Sequence, residues 1–158
     1  MPAAIEIEAL RELRARDFAG LLTDSEASGQ TFVRRLVADW ASGANRFDRP
    51  GEALFAATTG DGLVACCGLN VDPYTEREGV GRVRHLYVHS AFRRLGIGER
   101  LVVQIIATAP ARFDILRLRT GNPEAARLYE RLGFRRADGA DCSHVMDLRC
   151  ATPVGHAH

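Results

Sequence analysis

The chain has 158 residues, 46% of them apolar and 26% charged, and a formal net charge of +1. This suffices for one domain with a real core and is too little for two, and the near-neutral balance supplies no basic field for nucleic acid. No run approaches the ~20 apolar residues of a membrane span, and Met1-Pro2-Ala3-Ala4-Ile5-Glu6 lacks the basic and apolar regions of a signal peptide. A cytoplasmic protein that binds neither membrane nor nucleic acid is therefore expected.

In chain order, residues 5–10 read as a strand, and residues 16–27 and 31–42 as two helices punctuated by Ser28-Gly29 and Ser42-Gly43. Phe32, Leu36, Val37 and Trp40 form one apolar face of the second helix. Residues 53–59 and 63–71 are strands joined by the hairpin turn Gly60-Asp61-Gly62. A loop over residues 73–81 carries Glu76, Arg77 and Glu78, and residues 83–88 form a central strand. A long helix spans residues 97–109, then come a strand over 115–120, a helix from 123, and a closing pair of strands over 134–137 and 144–149. This order gives an α/β fold with a mixed sheet. Residues 1–150 form the single domain and residues 151–158 a flexible tail.

Between the central strand and the long helix lies Arg93-Arg94-Leu95-Gly96-Ile97-Gly98. A glycine-rich turn that opens a helix leaves backbone N–H groups free, and the helix dipole adds partial positive charge there. This makes a phosphate cradle. Gly96 and Gly98 allow close approach, and the two arginines add charge. The chain contains no lysine, which excludes a P-loop, and Gly96-x-Gly98 is followed by Leu101, which breaks a dinucleotide fingerprint. A second motif, Asn122-Pro123-Glu124-Ala125-Ala126-Arg127-Leu128-Tyr129-Glu130-Arg131-Leu132-Gly133-Phe134, reads as a short punctuated helix. Asn122 is its N-cap, Pro123 its first residue and Gly133 its stop. Ala125, Leu128, Tyr129 and Leu132 share one face.

Together the two motifs resemble the coenzyme A loop and the following helix of the GNAT acetyltransferase superfamily. The resemblance runs from about Ile5 to Arg149. It implies a mixed, mostly antiparallel central sheet flanked by helices, with a splay between the fourth and fifth strands that takes the acetyl-pantetheine arm of acetyl-CoA. Backbone groups of Leu86, Tyr87 and Val88 would meet the arm, with Val88 N–H donating to the acetyl oxygen. Arg93, Arg94, Leu95, Gly96, Ile97, Gly98 and Glu99 would surround the pyrophosphate. Asn122, Ala125, Arg127 and Tyr129 would face the coenzyme from the second motif, Arg127 equally well as a solvated charge. The implied activity is direct transfer of acetyl to a primary amine of a small molecule or peptide, with a non-catalytic acyl-CoA sensor or scaffold as the alternative. A homodimer is common among similar proteins.

Transfer to an amine needs a base, an oxyanion donor and an acid for the thiolate. Tyr129 matches the superfamily's acid. Some relatives place a glutamate base at the start of the fourth strand, where this chain has Arg82, and arginine cannot serve. His85, Glu78, Glu76 or an ordered water remain, with Glu78 and His85 level. Arg82 and Arg84 alternate onto one strand face, which would favour an anionic acceptor. Cys66, Cys67, Cys142 and Cys150 contain no Cys-x-x-Cys pair, so reduced thiols and no metal are expected.

Overall fold

A computed structural model gives the fold of residues 4–149. The tail expected over residues 151–158 lies outside the described residues. The strands are β1 (Glu6–Ala9), β2 (Ala53–Thr59), β3 (Gly62–Val71), β4 (Val80–Val88), β5 (Ile115–Leu118), β6 (Arg135–Arg136) and β7 (His144–Asp147). They form one open sheet in the order β1-β2-β3-β4-β5-β7-β6. Every neighbouring pair is antiparallel except β4 with β5, which is parallel. The mixed, mostly antiparallel sheet expected from the sequence is therefore present.

Four α-helices cover the two faces: α1 (Ala19–Ala27), α2 (Phe32–Ser42), α3 (Ile97–Thr108) and α4 (Pro123–Arg131). The helix expected from residue 16 is divided: a 3-10 turn over Ala15–Phe18 precedes α1, and no side chain caps the start of either segment. α2 stops at Gly43, whose φ of 87° is a left-handed conformation that glycine adopts without strain. One core layer, under α1 and α2, contains Phe18, Leu21, Val33, Leu36, Leu54, Cys66 and Tyr87. The other, under α3 and α4, contains Leu101, Val102, Ile105, Leu116 and Tyr129. Ile97, Leu101, Val102 and Ile105 recur at helical spacing on α3 and are at most 2% exposed, so each stabilises the fold by roughly 1.5–3 kcal/mol through burial.

Two features of β4 set up the site. The strand begins at Val80, earlier than the apolar run suggests, and this early part alone pairs with β5: Val80 opposite Ile115, Gly81 opposite Leu116, Arg82 opposite Arg117. Gly81 lacks the Cβ that would strike the Phe113 ring at 2.9 Å. From Val83 onward β4 stays paired with β3 but has no strand partner on its β5 side among the described residues. The expected splay between the fourth and fifth strands is this gap. A bulge then places His85 and Leu86 opposite the single residue Cys67, and His85 takes a φ of 61°.

Candidate active site

The cradle is built from the end of β4 to the start of α3. Arg94 has a φ of 65° and Gly96 a φ of 79°, two left-handed residues in quick succession. Left-handed residues beside right-handed ones turn neighbouring N–H groups toward a common point. The first helical bond there is Arg100 N–H to Gly96 O at 3.1 Å, and no side chain caps the helix. The N–H groups of Ile97, Gly98 and Glu99 therefore remain for an anion, backed by the helix dipole. Gly96 is required by its φ. Gly98 is not required by the protein itself, because a Cβ there would make ordinary contacts of 3.6 Å to Leu128 and 3.7 Å to Val88. A side chain at Gly98 would instead fill the space where β4, α3 and α4 converge, beside the gap in the sheet. The residues fit a pyrophosphate-bearing ligand.

Arg93 is not extended toward that anion. Its Nε donates to Val88 O at 3.0 Å and its Nη2 to the Tyr87 hydroxyl at 3.0 Å. Tyr87 in turn donates to Asp24 of α1 at 2.6 Å. Asp24 also accepts from Ser90 N at 2.9 Å and Ser90 Oγ at 2.5 Å, with His89 Nε2 at 3.6 Å. Burial opposes ionisation of Asp24, but the bonds from Ser90 and Tyr87 and the charge of His89 outweigh it and hold the carboxyl at about 2. His89 N–H bonds to Val64 O across β3. In an extended strand the preceding residue then directs its N–H and C=O the other way, so Val88 presents both to the open side of β4. Its carbonyl is taken by Arg93, and its N–H faces the gap.

On the α1–α2 face, His85 lies against Phe32 at 6.4 Å and Phe47 at 6.2 Å between ring centroids, and Trp40 stacks on Phe47. Both imidazole nitrogens are buried without a hydrogen-bond partner among the described residues. Burial, then the charges of Arg84 and Arg35, push the imidazole down to about 4. Phe47 has a φ of 53° and is held by its N–H to Asn45 Oδ1 at 3.1 Å. Asn45 is itself paired with Asn70, which also donates to Glu52. Phe47, His85 and Arg94 are the only non-glycine residues at positive φ among the described residues. Such strain persists where the surroundings over-determine it, often at functional sites. Gly68 makes room for Phe47: a Cβ there would meet its ring at 2.5 Å.

Tyr129 of α4 lies on the opposite face, 5% exposed, edge-on to Phe134 at 5.5 Å. Burial, then the neighbouring Cys67, hold its phenol above the usual tyrosine range, so it stays protonated. His144, fixed between Ser143 Oγ at 2.9 Å and Glu130 at 2.8 Å, sits beside it. Tyr129 and His85 thus flank the sheet from opposite sides, and the open side of β4 is the passage between the two faces. Asn122 caps α4 by accepting from Glu124 N at 2.8 Å and Ala125 N at 3.2 Å. Arg127 is exposed. Glu99 meets Arg131 at 3.6 Å, tying α3 to α4. A cleft of about 300 Å³ at the start of α4 shares Asn122 with the coenzyme candidates but is otherwise lined by residues such as Arg136, Asp138 and His144, with none from β4.

Glu78 is exposed in the loop before β4, at the opposite end from Val88 of a strand about 25 Å long at the ~3.3 Å rise. Arg82 is 6% exposed and already engaged: it bonds Asp72 at 3.4 Å and Asp141 O at 2.5 Å, and stacks on Tyr74. The expectation that Arg82 reads an anionic acceptor is therefore corrected. Cys66 and Cys67 are buried free thiols, Cys66 pushed up to about 12 by burial. Both are unreactive at neutral pH. Among the described residues no three His, Cys, Asp or Glu side chains group as metal ligands, and no helix is long and apolar enough to cross a membrane.

The family model for the acetyltransferase (GNAT) domain matches residues 50–136, which include β4, the cradle and α4. The chain belongs to the GNAT acetyltransferase family. No curated protein matches it. Solved structures do. A proposed acetyltransferase from Exiguobacterium sp. 255-15 is 28% identical, with a TM-score of 0.81 over 91% of this chain and 93% of that one. An N-acetyltransferase from Staphylococcus aureus Mu50 shares the fold at 15% identity, with a TM-score of 0.69 over 92% and 99%. A GNAT family acetyltransferase from Elizabethkingia anophelis with acetyl-CoA bound shares it at 18%, with a TM-score of 0.60 over 90% and 97%. Like other GNAT chains this one is an acetyltransferase; Asp24, Arg35 and Phe47 lie outside residues 50–136 that the family model matches. The sequence reading missed all three, since each lies in the two-helix segment or the following loop, where no motif marks it.

Proposed function

We propose that this GNAT chain is an acetyl-CoA-dependent N-acetyltransferase that moves the acetyl group directly to a primary amine of a small molecule or peptide. The observation that carries the reading is the uncapped start of α3, opened by left-handed Arg94 and Gly96, beside the unpartnered side of β4. Acetyl-CoA supplies the acetyl group as an activated thioester. In this reading the N–H groups of Ile97, Gly98 and Glu99 hold its pyrophosphate. Val88 N–H points to the gap, where it would donate to the acetyl oxygen. Tyr129 Oη holds the proton for the departing sulfur, and its burial keeps the phenol neutral and protonated at pH 7. His85 takes the amine proton: its imidazole is neutral at pH 7 and without a competing partner among the described residues, although burial makes it a weaker base than a free imidazole. Glu78 stands at the far end of β4, so the reading takes His85.

The test is calorimetric titration with acetyl-CoA, with ATP and NAD as controls and Gly98→Glu as the blocked cradle. Binding of acetyl-CoA alone, lost in the variant, supports the assignment. A folded wild-type protein that ignores acetyl-CoA would end it. Binding with no turnover of any amine would leave the acyl-CoA sensor.

A further inference from the structure

The aromatic wall around His85 carries two cations that no described residue pairs. Arg84 pairs in register with Gly68, and the Cβ built at Gly68 points at the Phe47 ring. Residues opposite one another in a sheet project to the same face, so Arg84 leaves β4 on the side of Phe47 and His85. It is half-buried. Arg35 follows Phe32 by one helical turn on α2, and Phe32 lies over His85. Neither guanidinium has an ion-pair or hydrogen-bond partner among the described residues.

Four carboxylates of the surrounding elements are committed elsewhere, and Asp39, one turn after Arg35 on α2, forms no ion pair with it. Asp72, fully buried, is shared by Arg82 at 3.4 Å and Arg117 at 3.5 Å. Glu26 pairs with Arg34. Glu52 accepts from Asn70 and from Val71 N. Asp24 is held by Tyr87 and Ser90. A half-buried guanidinium without a counter-charge is costly, and its fork matches a carboxylate or phosphate.

We infer that Arg84 and Arg35 form an anion subsite beside His85, so that the acceptor is an amine bearing a carboxylate or phosphate, seated against Phe32 and Phe47. The inference rests on the transferase reading above. The same two charges favour the neutral form of an incoming amine, the form with a lone pair to attack. They also repel polyamines. The acceptor's own anion offsets the arginines' share of the downward push on His85, while the larger share, from burial, remains.

The experiment measures binding of four amines by calorimetry, with and without coenzyme A, in wild type, Arg84→Gln and Arg35→Gln. The probes are phenylalanine, O-phosphoethanolamine, phenylalaninamide and spermidine. Acetylated product is read in parallel by mass spectrometry with acetyl-CoA. Phenylalanine or O-phosphoethanolamine should bind about tenfold or more tighter than phenylalaninamide, and spermidine weakest. Each variant should shrink that preference. Whichever anionic probe is favoured identifies the group as carboxylate or phosphate. Phenylalaninamide or spermidine binding as well as the anionic probes, or variants that weaken all four alike, would overturn the inference. Anion-selective binding with no product would instead overturn the transferase reading and leave the subsite standing. Arg35 is exposed on α2, so Arg35→Gln serves if Arg84→Gln does not fold.

Discussion

The Tyr87 hydroxyl donates to Asp24 at 2.6 Å, which joins the last turns of α1 to the far end of β4. The same oxygen accepts from Arg93, so a single phenol links the α1–α2 face to the loop that carries the coenzyme cradle. Asp24 adds three more contacts, to the backbone and side chain of Ser90 and to His89. The basic residue that opens the GNAT glycine motif, exposed like Arg94, is thus used here to brace the loop.

Asp24→Asn should loosen that brace. The amide keeps the shape but loses the charge that attracts Ser90, His89 and, through Tyr87, Arg93. Calorimetry should show acetyl-CoA bound about five- to tenfold more weakly, and the fold about 1–2 kcal/mol less stable. Asp24→Glu, which restores the charge, should recover part of the affinity. Unchanged coenzyme affinity in Asp24→Asn would mean the cradle holds its shape without α1.

The two glycines of the cradle should separate fold from ligand. Gly96 has a φ of 79°, so Gly96→Ala should cost about 1–2 kcal/mol of stability in denaturant unfolding. Gly98 meets only ordinary contacts at its missing Cβ, and Gly98→Ala should leave unfolding nearly unchanged while acetyl-CoA affinity falls. Equal stability losses in both variants would assign Gly98 a structural role instead.

The elements with strong local signals were legible before any coordinates. Asn122-Pro123 and Gly133 bracket α4 as read, and the hairpin at Gly60-Asp61-Gly62 closes β2 on β3. The early part of β4 was not, because Gly81 and Arg82 interrupt its apolar run; the packing of Gly81 on Phe113 and the buried pairing of Arg82 with Asp72 come from distant segments. The acceptor face was illegible for the same reason. Phe47 reaches His85 only because Gly68, Asn45 and Asn70 meet there in three dimensions. Periodicity records which face of an element is buried, not which loop residue bends back onto it.

Acid should weaken the fold in two separate windows. His85 falls from 6.5 to about 4 on folding, so the unfolded chain binds the extra proton between those values. Stability from this group is full above pH 6.5 and is lost as the pH falls toward 4, by about 3 kcal/mol at most. Asp24 falls from 3.8 to about 2, so its contribution is full above pH 3.8 and disappears only toward pH 2. Denaturant melts of His85→Gln between pH 7 and 4 should be flatter than wild type, and those of Asp24→Asn should differ from wild type chiefly above pH 4. A wild-type melt that is flat from pH 7 to 4 would mean the imidazole finds a proton-accepting partner on acidification.

Tyr129→Phe isolates the proposed acid. The ring stays, so its edge contact with Phe134 and its place in the α3–α4 core are preserved, and the hydroxyl has no hydrogen-bond partner among the described residues to lose. Stability and acetyl-CoA affinity should hardly change. Turnover should fall about 100-fold, within the range for removal of a general acid, and the loss should shrink with a thioester whose thiol leaves as a more stable anion, because that sulfur needs the proton less. Equal losses with both thioesters would make Tyr129 a packing residue, and the departing sulfur would then take its proton from solvent along the open side of β4.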